Sequence, residues 1–174
     1  VALGGQTISF GAAPVLGVQG TALLQASASS GLPLRFASLT PQLCAVDATS
    51  GRVTALAAGT CTVAADQSGN TTWAAALQAT QSFFIDFLTQ RISFGAAPVL
   101  QANGTAVVQA SASSGLAVSF SSLTPAVCGL QDSLGTVRGL TAGTCTVAAS
   151  QAGDAAWAPA TTAVPGGRAR RSTS

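Results

Sequence analysis

One feature of this 174-residue chain limits its architecture more than any other: it is written twice. The segment Gln6 to Leu16 returns almost unchanged as Gln90 to Leu100, and Gln25 to Leu32 is identical to Gln109 to Leu116. Further on, Ala58 to Ala65 is repeated as Ala142 to Ala149, and Trp73 as Trp157, every pair being offset by 84 residues with no insertion between copies. A unit of this length exceeds the 20–50 residues of solenoid repeats and can hold a core of its own. The chain therefore predicts two domains of one kind.

Within each copy, short runs of β-branched and apolar residues alternate with Gly, Ser and Pro. Helix is the losing alternative, because glycine and proline recur too often for a long 3.6-residue pattern. Strands are predicted near Thr7–Phe10, Thr21–Ala28, Leu34–Ser38, Leu43–Asp47, Arg52–Leu56, Thr60–Ala65 and Ala79–Phe87, with turns at Ser30-Gly31, Thr40-Pro41, Ser50-Gly51 and Ser68-Gly69. That spacing suits an all-β immunoglobulin-like sandwich. The expected layout is a first repeat at 1–88 and a second at 89–164. Thr89-Gln90 joins them with almost no linker, which predicts a stiff, extended pair.

The second copy breaks the pattern at its end. Where the first reads Gln81-Ser82-Phe83-Phe84-Ile85-Asp86-Phe87, the second reads Pro165-Gly166-Gly167-Arg168-Ala169-Arg170-Arg171. This is a poor strand sequence, so the second sandwich is expected to lack its last strand and 165–174 to be a disordered basic tail. A missing strand leaves an open edge that a neighbouring chain could fill, building a filament.

Each copy carries two cysteines, Cys44 with Cys61 and Cys128 with Cys145, at the same spacing. An even count per repeat, with a hairpin around Thr49-Ser50-Gly51 between the first two, predicts one disulfide inside each domain. A zinc site is disfavoured, since no C-x2-C spacing exists and the pairs sit in different domains. Free redox-active thiols are disfavoured too, because no neighbouring residue would lower their pKa. Disulfides point to an oxidising compartment: periplasm, outer surface or medium.

Composition narrows the function. There is no His, Lys, Glu, Tyr or Met, and only 7% of residues are charged. Triads and His-containing zinc sites cannot be built. Schiff bases, P-loops and lysine isopeptides are equally out of reach. No cofactor is implied, and an enzyme is not expected. Three of the seven Arg (Arg168, Arg170, Arg171) lie in the final stretch, so the body is near neutral and offers no basic face for nucleic acid. No run approaches the ~20 apolar residues that cross a bilayer. The chain does not open with a signal-peptide pattern, so such a segment is expected to have been removed or to belong to a longer parent.

Trp73 and Trp157 stand in Gly/Asn/Asp-containing loops and are the candidate binding residues, by stacking on a sugar or anchoring an interface. Capping the open end of the core is the preferred role, since both copies keep the residue. Asp66, Asn70 and Asp86 are a weak calcium candidate, because Asp66 becomes Ser150 in the second copy. Asn70-Thr71-Thr72 and Asn103-Gly104-Thr105 fit the N-glycosylation pattern, a short motif that is usually incidental.

The run Ser38-Leu39-Thr40-Pro41-Gln42-Leu43-Cys44-Ala45-Val46, followed by Gly51-Arg52-Val53-Thr54-Ala55-Leu56-Ala57-Ala58-Gly59-Thr60-Cys61-Thr62-Val63, resembles the bacterial immunoglobulin-like (Big) repeat, second group. Cysteines stand at positions 44 and 61, where small residues are common, as in a cysteine-bearing subtype. The resemblance runs from Gln6 to about Phe87 and from Gln90 to about Thr162. It implies a stalk, spacer or adhesin role on a bacterial surface protein, with no catalytic residue to carry over. Its implied partners are other repeats or subunits of the same protein, and host or surface glycans or proteins.

Overall fold

Alternating burial along short strands builds both halves. A computed structural model describes residues 2–163 and 167–170, and the chain divides into a first unit, Val1–Leu88, and a second, Thr89–Ser174. No helix occurs among the described residues.

The first unit contains β1 (Ile8–Phe10), β2 (Leu16–Gly17), β3 (Thr21–Leu23), β4 (Ala26–Ala28), β5 (Arg35–Ser38), β6 (Cys44–Val46), β7 (Arg52–Ala55), β8 (Gly59–Asp66) and β9 (Ala79–Asp86). One layer holds the β1–β4 pair and the β3–β7–β6 sheet; the other is ordered β2–β9–β8–β5. β3 and β4 are halves of one extended stretch. Its first half pairs with β7, and its second half pairs with β1. Between β1 and β2 the chain changes sheets through Gly11-Ala12-Ala13-Pro14, where proline has no amide hydrogen to leave unpaired. β2 then runs parallel to β9, with Leu16 beside Ile85. A first strand shared between two sheets, facing layers of the ABED and CFG kind, is the immunoglobulin-like arrangement.

The core follows from the period of two. Cys61, Val63 and Ala65 of β8 face inward, as do Phe83 and Ile85 of β9, while Phe84 between them is 54% exposed. Ile85 is wholly buried. Burying a side chain of this size contributes roughly 1.5–3 kcal/mol.

The two sheets are also joined covalently. Cys44 lies on β6 in one layer and Cys61 on β8 in the other, with Cα atoms 5.9 Å apart and a disulfide between them. Cys128 and Cys145 repeat the bridge at 5.6 Å, and no cysteine is free. The expected pairing inside each domain is therefore observed.

The second unit contains β10 (Ile92–Phe94), β11 (Leu100–Gln101), β12 (Thr105–Val107), β13 (Ala110–Ala112), β14 (Ser119–Ser122), β15 (Cys128–Leu130), β16 (Thr136–Gly139), β17 (Gly143–Cys145), β18 (Val147–Gln151), β19 (Ala160–Ala163) and β20 (Gly167–Arg170). The strand neighbours follow the first unit, with β17 and β18 in the place of β8, and β19 and β20 in the place of β9, though β19 pairs with β18 one residue out of the register that β9 keeps with β8. The expectation of a missing last strand is corrected here. β20 pairs antiparallel with β17 and parallel with β11. A ladder uses main-chain groups, so Gly167 and Ala169 can occupy it without large side chains, and leaving β17 unpaired would strand its amides. Pro165, Gly166 and Arg171–Ser174 of the expected tail lie outside the described residues.

Filling differs between the units. Leu24, Leu34, Phe83 and Ile85 of the first have Val108, Val118, Gly167 and Ala169 at the matching positions of the second. A cavity of ≈ 30 Å³ in the second unit is bounded by Leu100, Val108, Val137, Cys145 and Val147. A surface groove of ≈ 640 Å³ is lined there by Val107, Val118, Phe120 and Leu134. Losing large buried side chains costs about 2–5 kcal/mol each where neighbours do not collapse.

Two outcomes are expected. Replacing both Cys44 and Cys61 by Ala lowers the stability of the first unit by about 3 kcal/mol in urea; an unchanged midpoint would show that the bridge constrains nothing. In chains carrying either Trp73→Phe or Trp157→Phe, the remaining tryptophan reports one unit at a time. The Trp157 signal is expected to melt first, and the reverse order would contradict the packing difference.

Candidate functional site

The tryptophans sit in a loop built the same way twice. Asn70 Oδ1 accepts from the amides of Thr72 at 2.8 Å and Trp73 at 2.9 Å. Asp154 Oδ1 accepts from Ala156 at 2.8 Å and Trp157 at 2.9 Å. Such Asx turns bend the backbone without a regular ladder. The bend also demands glycine: Gly69 has φ +77°, and a Cβ there would stand 2.3 Å from the Trp73 carbonyl oxygen.

Trp73 is half-buried rather than splayed into solvent. Gly4 lies against its six-membered ring, so that a Cβ at Gly4 would come within 2.9 Å of Cε3. Gly4 also donates to Thr72 O at 2.8 Å and accepts from Ala74 N at 2.9 Å. Part of the ring is therefore covered by backbone, which shrinks any platform for a sugar. Trp157 is half-buried as well.

Beside each tryptophan loop is a polar latch that inspection for chemical motifs passes over. Gln6 Nε2 donates to Gln67 Oε1 at 2.9 Å and to the Ala74 carbonyl at 2.6 Å, while Ser30 Oγ donates to Gln6 Oε1. Gln67 is buried, and its Oε1 also accepts from the Gly69 amide. The second unit repeats the set with Gln90, Gln151, Ser114 and Ala158, at 2.7 Å for both donations from Gln90. Buried amides need such partners, because each unsatisfied group costs about 1–3 kcal/mol. The signal was present in the repeat: Gln6/Gln90, Ser30/Ser114 and Gln67/Gln151 are polar residues kept at matching places.

The disulfides lie deep in the cores. Cys44, Cys61 and Cys128 are fully buried, with the Ser38 hydroxyl 3.3 Å from Cys44 Sγ. Thr40 Oγ1 accepts from the Thr62 amide at 3.0 Å, and Thr124 does the same for Thr146 at 2.9 Å, tying the turn before each first cysteine to the strand of the second. Cys145 is buried too, at 6% exposure, so both bridges lie inside the sandwich.

The acids do not converge. Asp66 holds Gln78 Nε2 at 3.0 Å, and Asp86 ends β9 beside Gly17 of β2. Among the described residues no group of three or more His, Cys, Asp or Glu could hold a metal ion. Asp47 turns the β6–β7 hairpin by accepting from Ser50 N at 2.7 Å and Thr49 N at 3.1 Å. These bonds, the Ser50 amide foremost, hold its carboxyl below the ordinary carboxylate range. Asp132 is lowered in the matching hairpin, chiefly by the Thr136 hydroxyl.

No protein-family model matches the sequence, and neither does any curated protein. Solved structures do resemble it. Domains 1–6 of the surface layer protein SbsC align over 97% of this chain and 28% of that one, at 15% identity and a TM-score of 0.37. A C-terminal fragment of intimin, solved with the intimin-binding domain of its translocated receptor, aligns over 91% of this chain and 63% of that one, at 18% identity and 0.35. Human protocadherin-24 EC1-2 aligns over 91% of each chain at 12% identity and 0.37. The chain thus spans about a quarter of the SbsC structure and under two thirds of the intimin fragment. Likeness at this level says nothing of what this chain binds.

The acids generate a pH prediction. A carboxyl whose pKa is lowered by folding stabilises the fold above its unfolded pKa, and that contribution is lost as pH falls through the lower folded value. With no His, Lys, Glu or Tyr to titrate, stability is expected to be level from about pH 5 to 9 and to fall only below about pH 4. A transition near neutrality in a thermal series would contradict this.

Proposed function

We propose that this chain is a non-catalytic structural or adhesive module, a stalk, spacer or adhesin repeat of a bacterial extracellular or cell-surface protein. The observation that carries the reading is the cross-sheet bridge, present in both units and fully buried at Cys44, Cys61 and Cys128. A bond placed between sheets resists their separation, and its formation needs an oxidising compartment. His, Lys, Glu and Tyr are missing from the whole sequence, which leaves Asp as the only carboxylate side chain and no imidazole or lysine amine for acid–base or covalent chemistry. The Big-like runs around Cys44–Cys61 and Cys128–Cys145 support the same role and the cysteine-bearing subtype.

Partners in this reading are other repeats or subunits of the same protein, together with surface glycans or proteins. We take Trp73 and Trp157 as caps of the sandwich end, a role supported by the Gly4 backbone over the Trp73 ring. Carbohydrate binding is the weaker reading, tested by a glycan array on Trp73→Ala and Trp157→Ala chains.

Pulling single molecules tests the spacer role. The bridge withholds the loop between cysteines 17 apart. Each oxidised unit is therefore expected to lengthen by ~60 Å less than a reduced one, at ~3.5 Å per residue. Equal lengths would remove the mechanical basis of the proposal.

A further inference from the structure

The duplication allows one unit to report what is missing from the other. In the first unit Phe83 stands in register opposite Cys61, and Ile85 lies between Gly59 and Leu16. Both side chains are buried, Phe83 7% exposed and Ile85 0%. The same register positions of the second unit belong to Gly167, opposite Cys145, and Ala169, between Gly143 and Leu100. Glycine offers no side chain and alanine one methyl. The cavity of ≈ 30 Å³ is bounded by Leu100, Cys145, Val137, Val147 and Val108, so two of its walls are the residues flanking β20. The second unit keeps the seat of the last strand but not the side chains that fill it.

We propose that the second unit accepts an extended segment of a partner protein in place of its own Gly167–Arg170 strand. The segment carries a large aromatic residue at the Gly167 position and a β-branched one at the Ala169 position. The occupant is read from the first unit, where Gln-Ser-Phe-Phe-Ile-Asp fills the equivalent seat between β2 and β8. The incoming backbone runs parallel to β11 and antiparallel to β17, keeping every ladder bond that β20 makes. Exchange is then decided by side chains: a buried aromatic removes on the order of 150–250 Å² from water, which glycine cannot match.

The idea goes beyond the spacer role, which needs no exchange and stands or falls separately. It also differs from an edge left open by a missing strand, since the seat is occupied and must be vacated. Strand addition of this kind takes affinity from main-chain bonds and selectivity from alternate side chains.

The test uses the full chain with Trp73→Phe, so that Trp157 reports the second unit, and a labelled synthetic peptide of residues 79–88. Saturable binding is expected, with a rise in the Trp157 melting midpoint. A peptide carrying Phe83→Gly and Ile85→Ala is expected to bind at least about tenfold more weakly. A chain with Gly167→Phe and Ala169→Ile, or with Ala169→Ile alone if the double variant does not fold, is expected to melt higher and to lose the peptide. No binding, equal binding of the two peptides, or peptide binding undiminished in the filled chain overturns the proposal.

Discussion

Each unit depends on a covalent bond between its two sheets. A sandwich whose interior is largely alanine and valine presents little apolar area per residue, and small domains of this size run close to the limit of stability. The Cys44–Cys61 bridge compensates by acting on the unfolded chain, where it closes the β6–β8 loop before folding begins. It also fixes the one distance on which the core depends, the separation of the β7 layer from the β8 layer. Val53 and Val63, both fully buried, fill the space beside it.

Around that bond the remaining devices are local and polar. The glutamine latch holds the start of β1 to the tryptophan loop, and the Asx turns at Asn70 and Asp154 set the loop itself. Asp47 and Asp132 shape the hairpins that return the chain toward the second cysteine. The hydrogen bonds of these groups go to backbone amides and carbonyls and, among Gln6, Ser30 and Gln67, to one another.

The two copies amount to an experiment in packing. Topology, disulfide, latch and turns are shared, while the last strand differs in side-chain size. A strand seat is specified by main-chain hydrogen bonds, which any residue but proline can make. A filled core is specified by side-chain volume, which Gly167 and Ala169 do not supply. The second unit separates these two requirements, and a cavity lies beside Cys145 and Leu100, the residues that β20 pairs against.

Much of this was written in the sequence. The repeat, the seven principal strands, and the pairing of Cys44 with Cys61 and Cys128 with Cys145 follow from spacing, alternation and even cysteine counts, because these are properties of neighbours along the chain. The short β2 was missed: two residues, Leu16 and Gly17, carry no periodicity, and they form a strand only because β9 lies alongside. β20 was missed for the same reason, since Gly-Arg-Ala-Arg has no strand propensity and is held by β17 and β11. The glutamines were visible as repeated letters, but their convergence on Ala74 and Ala158 spans most of a unit. Sequence alone determined the kind of module and its covalent staple. Only tertiary structure decided which backbone completes each sheet, because unpaired amides take whatever strand the fold brings to them.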